Sequence, residues 1–451
     1  MTEKQELSTL LPSDRLETQF SDAKPPYTDL EAVIEANRCL NCYDAPCISA
    51  CPTGIDIPIF IKKIASGNIR GSATTIFEAN MLGSSTARVC PVEELCVGAC
   101  VFNELNHKPI QIGFLQRYVT EKALEAEVRT GNRLFVPADV ETGKKVALIG
   151  AGPASLACAA YLALEGVSPV IYEKDELPGG LNTTAVAPYK FQTDDCMKEV
   201  EWILQHGVRL HTGVKIGKDV EFRQLVQEYD AVFIGIGFGK DGRLKLPGSD
   251  GSGVWGALEL IREIKNNPNF SLPVNLNSVL VIGGGNTAID VARELAMLGI
   301  PNVNIVYRRT RSEMPGYQHE LEGASKYGVR MMENVVPISI VRDGGVIRSL
   351  KVKSNQSGEV FELSCDWVVE AIGQESHAIA VSPDIAVDEM GRVIVDSGTY
   401  MTTHPNVYAG GDCINGGKEV VNAAADGREA AFAMLRSWGI KSRFIKDDGK
   451  I

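Results

Sequence analysis

Two stretches constrain the fold more than anything else in the chain. "KKVALIGAGPASLACAAYLALEGVSPVIYEK" (residues 144–174) reads as an apolar strand, a tight glycine turn, a helix and a second strand. "NSVLVIGGGNTAIDVARELAMLGIPNVNIVYRR" (residues 277–309) repeats the pattern. A strand that returns through a helix to a parallel neighbour builds a sheet with helices on both faces, so each unit predicts a doubly wound α/β domain. "DAVFIGIGFGK" and "CDWVVEAIGQ" each add a strand ending in glycine or a small residue, and "HPNVYAGGDCINGGKEVVNAAADGREAAFAMLRSW" closes the chain as strand, loop and helix. That order predicts a first nucleotide-binding domain, a second one inserted into it, and a return to the first.

The segment ahead of Lys144 is different. "TDLEAVIEANRCL", "IPIFIKKIASGNIRGSATTIFEANML" and "GFLQRYVTEKALEAEVRT" carry helical periodicity, and nothing there suggests a sheet of any size. The expected fold is therefore α/β, with a helical N-terminal domain and two Rossmann-like domains. The expected boundaries are 1–140, 141–270, 271–375 and 376–451, with the first and last α/β segments forming one domain around the third.

The glycine turns carry chemistry. Gly150, Gly152 and Ser155 fit G-x-G-x-x-G with a small residue in third place. The first glycine permits the turn, the second lets a pyrophosphate approach the backbone, and the third position lets helix pack on strand. Glu173 ends the following strand, where a carboxylate binds a ribose diol. Gly283, Gly285 and Ala288 make the second turn. No acid follows its second strand; Arg308, Arg309 and Arg311 stand there instead. Guanidinium groups at that position suit a 2′-phosphate and favour NADPH over NADH, the alternative being a solvated basic loop. Two dinucleotide sites imply electron exchange between two dinucleotides, one of them a flavin. "YAGGD", ending at Asp412, fits the ribityl–phosphate region of FAD. The helix that begins near Glu419–Val421 would aim its positive end at the pyrimidine edge of the flavin ring.

Seven of the eleven cysteines lie between residues 39 and 100. They form two runs, C-x2-C-x4-C-x3-C-P from Cys39 and C-P-x4-C-x3-C from Cys90. The first resembles bacterial ferredoxin spacing, where the fourth cysteine serves the other cluster. Zinc is the competing reading, but a zinc site takes four ligands and seven cysteines divide awkwardly into fours. Two 4Fe–4S clusters need an eighth donor. His107, Gln111 and Gln116 follow closely, and ligand chemistry alone favours His107, with open iron coordination as another solution. The isolated Cys158 reads as a small core residue.

Bulk properties narrow the partners. A net charge of −12 argues against nucleic acid or an anionic membrane surface. The polar, acidic opening and the lack of a long apolar run predict a cytoplasmic protein.

"CLNCYDAPCISACP", "CPVEELCVGAC", "GFLQR", "GAGPAS", "LPGGLN", "GGGNTAIDVA" and "YAGGD" occur in this order over residues 30–440. Together they resemble the N-terminal half of dihydropyrimidine dehydrogenase, a separate PreT-type subunit in bacteria. The small subunit of glutamate synthase is a related family with the same plan. Its second cysteine run is shorter, so the pyrimidine family fits better.

The resemblance implies one 4Fe–4S cluster on Cys39, Cys42, Cys47 and Cys100, and another on Cys51, Cys90, Cys96 and Gln116. For the flavin it implies contacts from Gly152, Ala154, Ser155 and Glu173, from Gly180 and Leu181 in "LPGGLN", and from Lys190, Asp412 and Val421. For the nicotinamide cofactor it implies Gly284, Gly285, Asn286, Thr287, Arg308 and Arg309, with Ala371, Ile372 and Gly373. Mammalian-type enzymes use NADPH and bacterial two-subunit ones NADH, so the family leaves that preference open.

The implied activity is electron transfer from NAD(P)H through FAD and the clusters to an FMN- and iron–sulfur-containing catalytic subunit (PreA-type), in a heterotetramer, for reduction of uracil or thymine. No side chain is needed as an acid or base for hydride transfer itself. The alternatives are the electron-input subunit of glutamate synthase or a related flavin oxidoreductase, and a non-catalytic scaffold with a zinc-stabilised N-terminal domain.

Overall fold

The computed structural model describes residues 11–376, 378 and 384–445. Before Lys145 the described residues contain helices and turns and no strand. Local capping explains where the helices start. Thr28 and Glu31 form a reciprocal cap for Asp29–Asn37, and Asp56 accepts from the N–H of Ile59 at the head of Ile57–Ala65. The periodic stretch after Ile57 is not one helix. Gly67 takes a φ of +76°, and Asn68 caps a new helix, Ile69–Ala79, by accepting from the Gly71 N–H. The break folds the two helices together, so that Phe60, Ile61 and Ile64 join Ile76 and Phe77 in one core. Helices Gly83–Val89 and Ile112–Thr130 complete the domain, and the latter stops at Gly131 with a φ of +72°. Among the described residues, no helix is long and apolar enough to cross a membrane.

The first sheet has five parallel strands in the order Val407–Ala409, Ala231–Ile234, Lys145–Ile149, Ser168–Tyr172, Arg209–His211. The edge strand from the end of the chain pairs Val407 with Val232, so the chain does return to its first domain. The helix Val420–Ser437 then packs on Pro153–Leu164. That contact is tight: a Cβ added at Gly427 would lie 2.0 Å from the Ala154 carbonyl oxygen.

The second sheet is also five parallel strands, in the order Val254–Gly256, Trp367–Glu370, Ser278–Ile282, Asn302–Val306, Arg330–Met332. An antiparallel meander of Val335–Asp343, Val346–Ser354 and Val360–Ser364 is attached to it. The two passes of chain between the domains, Gly239–Asp241 and Gln374–Ser376, pair with each other as a short antiparallel ribbon.

This places the first crossing near residue 240, not at the expected 270. Val254 pairs with Val368. Leu260, Ile261 and Ile264 of the helix Ala257–Asn266 pack into the second domain's core. A three-residue strand is too short to show a pattern in sequence.

Charged side chains that reach backbone groups of a neighbouring domain join the units. Lys265 is fully buried; its Nζ donates to the carbonyls of Val186 and Phe191 at 2.8 Å and of Asn182 at 3.2 Å, with the Glu17 carboxylate 3.5 Å away. Arg428, on the last helix, donates from Nη1 to Thr53 O at 2.6 Å and Ala79 O at 2.7 Å in the cysteine domain. Lys265→Met removes the shared donor from three carbonyls and the cation beside Glu17. The expected cost is about 3 kcal/mol or more. It is read as a lowered thermal unfolding midpoint, and an unchanged midpoint contradicts this role.

Candidate functional site

The two glycine turns are built on one plan. Gly150 has a φ of +90°, and a Cβ there would come within 2.7 Å of Gly235 O at the end of a neighbouring strand. Gly283 has a φ of +149°, and its added Cβ would meet Ala371 O at 2.2 Å. Both first glycines are therefore fixed by the fold.

The second glycines are not. Gly152 and Gly285 have ordinary φ values of −78° and −87° at the heads of their helices. A Cβ on Gly152 would find nothing closer than 3.8 Å, and one on Gly285 nothing within 4 Å. Neither conformation nor packing requires glycine at these positions. The open space above each helix N-terminus is what a dinucleotide phosphate needs.

Around the first turn, Ser155 Oγ is buried and has no hydrogen-bond partner. Buried Glu173 accepts from the Ala151 N–H at 2.6 Å and the Asp175 N–H at 2.9 Å. Burial raises its pKa and these donors pull it back. Gly180, with a φ of +60°, closes over the turn: its added Cβ would sit 2.9 Å from Gly152 Cα. Leu181 begins the short helix that follows.

From the end of the chain, Asp412 opens the helix Asp412–Asn415 and accepts from the Lys418 N–H. Asp426 holds the Gly411 N–H at 2.9 Å. Glu419 caps Val420–Ser437, just ahead of buried Val421. Burial raises the pKa of all three carboxyls.

Lys190 is placed differently from a free flavin contact. Its ammonium pairs with Asp290 at 2.7 Å and Glu320 at 2.9 Å, both on the inserted domain. Burial alone would lower its pKa, but the two carboxylates override that and raise it. Tyr317 of the same domain donates to Glu419 at 2.7 Å. The inserted domain thus rests on the flavin site through polar contacts that no single motif announces.

At the second turn, Asn286 Oδ1 accepts from the Tyr317 N–H at 2.8 Å, Thr287 is half-buried, and Ala288 is fully buried. A Cβ on Gly284 would strike the Tyr307 ring at 2.3 Å. Ile372 and Gly373 lie exposed beside the turn, next to Ala371. Arg308, Arg309 and Arg311 are exposed at the end of the strand Asn302–Val306. Arg311 Nε donates to Gln318. No carboxylate among the described residues forms an ion pair with Arg308 or Arg309.

Four of the seven clustered cysteines come together in the structure. Cys39, Cys42, Cys47 and Cys100 line one small cavity, whose other walls are apolar, including Ile57, Ile61, Phe102 and Ile110. Burial pushes the Cys47 thiol up to about 12, with Cys39, Cys100 and Cys42 adding to the effect. Cys96, also pushed to about 12, has Cys51 as its strongest thiol neighbour and then Cys47; Cys90 lies well above its ordinary value beside Cys96 and Cys51.

Thiolates packed this way are costly unless cationic metal compensates them. Among the described residues, no three His, Cys, Asp or Glu side chains converge tightly enough for a single ion.

Of the three candidate eighth ligands, His107 is exposed, with its ring edge-on to Phe102, and Gln111 donates to Pro109 O. Gln116 is buried on the helix that packs against Gly83–Val89, whose C-cap is Cys90. Its Nε2 donates to Gly83 O at 2.8 Å and Thr86 Oγ1 at 3.1 Å. Gly83 O can only accept, so the amide nitrogen faces it and Oε1 lies on the other side. Among the described residues no hydrogen bond ends on that oxygen. Cys158 is fully buried in the helix Pro153–Leu164, as a core residue should be.

Two dinucleotide turns beside a cysteine-lined domain define a flavin- and nicotinamide-dependent oxidoreductase with an iron–sulfur module. Comparison with known proteins agrees. Residues 16–128 match the family model for dihydropyrimidine dehydrogenase domain II, 4Fe-4S cluster. Residues 144–427 match that of the pyridine nucleotide-disulphide oxidoreductases. The chain belongs to the pyridine nucleotide-disulphide oxidoreductases, with a dihydropyrimidine dehydrogenase-type 4Fe–4S domain ahead of the flavin fold.

It is 35% identical over 416 residues to the NAD-dependent dihydropyrimidine dehydrogenase subunit PreT of Escherichia coli O157:H7, covering 92% of this chain and 96% of that one. It is 32% identical over 446 residues to the small chain of glutamate synthase [NADPH] of Escherichia coli K12, covering 92% and 93%. Thioredoxin reductase of Lactococcus lactis shares the α/β fold, with a TM-score of 0.55 at 24% identity over 65% of this chain and 98% of that one. The cofactors are accordingly FAD, NAD(P)H and 4Fe–4S iron.

The glycine plan makes a sharp distinction. Gly152→Ala should fold normally yet bind FAD weakly, because its methyl group fills only the open space. Gly150→Ala should destabilise the chain by about 1 kcal/mol or more, through backbone strain and the Gly235 contact. Flavin absorbance per chain and the unfolding midpoint separate the two outcomes.

Proposed function

We propose that this chain is the NAD(P)H-oxidising subunit of a dihydropyrimidine dehydrogenase, delivering electrons to an FMN-containing, PreA-type partner that reduces uracil or thymine. The observation that carries the electron-delivery reading is the gathering of Cys39, Cys42, Cys47 and Cys100 in one cavity that Cys51, Cys90 and Cys96 do not line. The helix Gly83–Val89, which ends on Cys90, packs against the flavin-domain helices Val420–Ser437 and Thr193–Leu204, which supports placing the Cys51, Cys90 and Cys96 group on the flavin side. Arg428 ties Thr53, two residues from Cys51, to that same helix. The Cys39, Cys42, Cys47 and Cys100 group lies nearer the surface: all four are half-buried where Cys90 and Cys96 are buried, and Leu40, which shares their cavity, is 55% exposed.

Bound FAD would supply the conversion from a two-electron hydride to single electrons. The chain's own residues position and insulate. Glycine turns seat the phosphates, Asp412 and Glu173 orient the flavin nucleotide, and apolar walls keep water from the outer cysteines. Gln116, in place of an eighth thiolate, would change the inner cluster's charge by one unit and so tune its potential.

Along the stretch of chain that carries the first cysteine run, Leu30, Ile34, Leu40 and Tyr43 are all exposed, Tyr43 at 99%. Such a patch suits a protein partner, and here the occupant is the catalytic subunit. Ile34→Asp with Tyr43→Asp should weaken co-purification with that subunit while leaving NAD(P)H-driven flavin bleaching unchanged. The complex should oxidise NAD(P)H in response to uracil. A response to glutamine with 2-oxoglutarate instead would assign the chain to the glutamate synthase side of the family.

Unpaired Arg308 and Arg309 support NADPH as the donor. Replacing both by Gln should lower kcat/KM for NADPH by roughly 10-fold or more and spare NADH, since each lost charge-assisted contact is worth about 1.5–3 kcal/mol. An equal loss with both cofactors would contradict a 2′-phosphate role.

A further inference from the structure

Glu199 lies on the helix Thr193–Leu204 of the flavin domain, outside both glycine turns and both cysteine runs. It is 1% exposed. Its carboxylate is directed entirely into the cysteine domain. Oε1 accepts from the Ser84 N–H at 2.8 Å and the Ser85 N–H at 3.2 Å, while Oε2 accepts from the Ser85 N–H at 3.2 Å and from the Ser85 hydroxyl. No cation forms an ion pair with it among the described residues. A buried carboxylate of this kind is costly, and it is satisfied only while Ser84 and Ser85 stay where they are.

What it holds is the short segment Gly83–Val89. Gly83 O and Thr86 Oγ1 from this segment receive the two N–H bonds of the Gln116 amide. The segment ends on Cys90, whose N–H donates to Thr86 O at 3.1 Å. Asn80 tightens the same turn: its Nδ2 donates to Thr86 Oγ1 at 2.9 Å and its Oδ1 accepts from the Leu82 N–H at 3.0 Å. One turn of backbone therefore holds both the amide of Gln116 and the backbone of Cys90. The flavin domain grips that turn through Glu199.

We propose that Glu199 is a positioning residue for the inner iron–sulfur cluster, fixing from the flavin domain the turn that orients Gln116 and Cys90. This rests on the reading that Cys51, Cys90, Cys96 and Gln116 hold that cluster. A weak, neutral amide ligand gains most from being held in place, because unlike a thiolate it is not drawn to iron by charge. Ligand orientation of this sort has to be kept within about 0.5 Å. The grip also couples the seating of the flavin domain to the geometry of the cluster that faces it.

The test uses the full chain, loaded anaerobically with FAD and Mössbauer-active iron. The variants are Gln116→Ala, Glu199→Gln, Glu199→Ala, Ser85→Ala and the double variant Gln116→Ala/Glu199→Ala. The readout is the Mössbauer spectrum of each cluster, with chelator resistance alongside. Gln116→Ala should alter one cluster and leave the other. The Glu199 variants should shift that same spectrum and lower the chelator concentration that strips its iron by about 10-fold, with flavin content retained. Ser85→Ala should act in the same direction more weakly. The double variant should shift the spectrum no further than Gln116→Ala alone.

If Gln116→Ala alters one cluster and the Glu199 and Ser85 variants alter neither, this inference falls and the ligand reading stands. If Gln116→Ala alters neither cluster, both fall. Should Glu199→Ala fail to fold, Glu199→Gln and Ser85→Ala decide the matter. Equal loss of both clusters and flavin in those two variants would show a purely structural role and overturn the proposal.

Discussion

The structure depends on three charged side chains that cross domain boundaries and end on backbone groups. Lys265 reaches three carbonyls of the flavin domain, Arg428 two carbonyls of the cysteine domain, and Glu199 two N–H groups and a hydroxyl there. Apolar packing between domains is non-directional and tolerates sliding. A polar group held by backbone dipoles in a buried contact does not, because a small displacement breaks its hydrogen bonds. For a chain that hands electrons from one site to the next, that distinction matters. Separation and orientation have to be set by the fold, since no reacting side chain compensates for a misplaced cofactor.

Within that frame the same nucleotide device is used twice. In each turn the first glycine is required by a positive φ and by a carbonyl of a neighbouring strand, Gly235 O in one case and Ala371 O in the other. In each, the second glycine has room around it that the protein does not use. The inserted domain also leans on the flavin site through Lys190, Asp290, Glu320, Tyr317 and Glu419. The paired ribbon of Gly239–Asp241 and Gln374–Ser376 is the covalent link between the two domains.

Much of this was legible from the chain. Both strand–turn–helix units, the insertion, and the helical character of the first domain follow from apolar periodicity and glycine spacing, which are local signals. The first domain boundary did not follow, because Val254–Gly256 is short and its partner Trp367–Glu370 lies far along the chain. Cysteine spacing signalled metal but not the partition of ligands. Ligand chemistry pointed to His107 and the family resemblance to Gln116; in the structure His107 is exposed and Gln116 is buried with its amide nitrogen bonded to Gly83 O. Glu199, Arg428 and Lys265 carry no sequence signature at all. Each looks like an ordinary charged helix residue, and only the neighbouring domain reveals what it holds.

The central claim is that electrons pass from the flavin through the inner cysteines to the outer ones and leave there. The most direct measurement is stopped-flow absorbance of the FAD- and iron-loaded chain carrying Cys39→Ser and Cys47→Ser, mixed with NADPH and the partner subunit. The account predicts that the chain's flavin bleaches at the unmodified rate while reduction of the partner is lost. Undiminished reduction of the partner by this variant would contradict it.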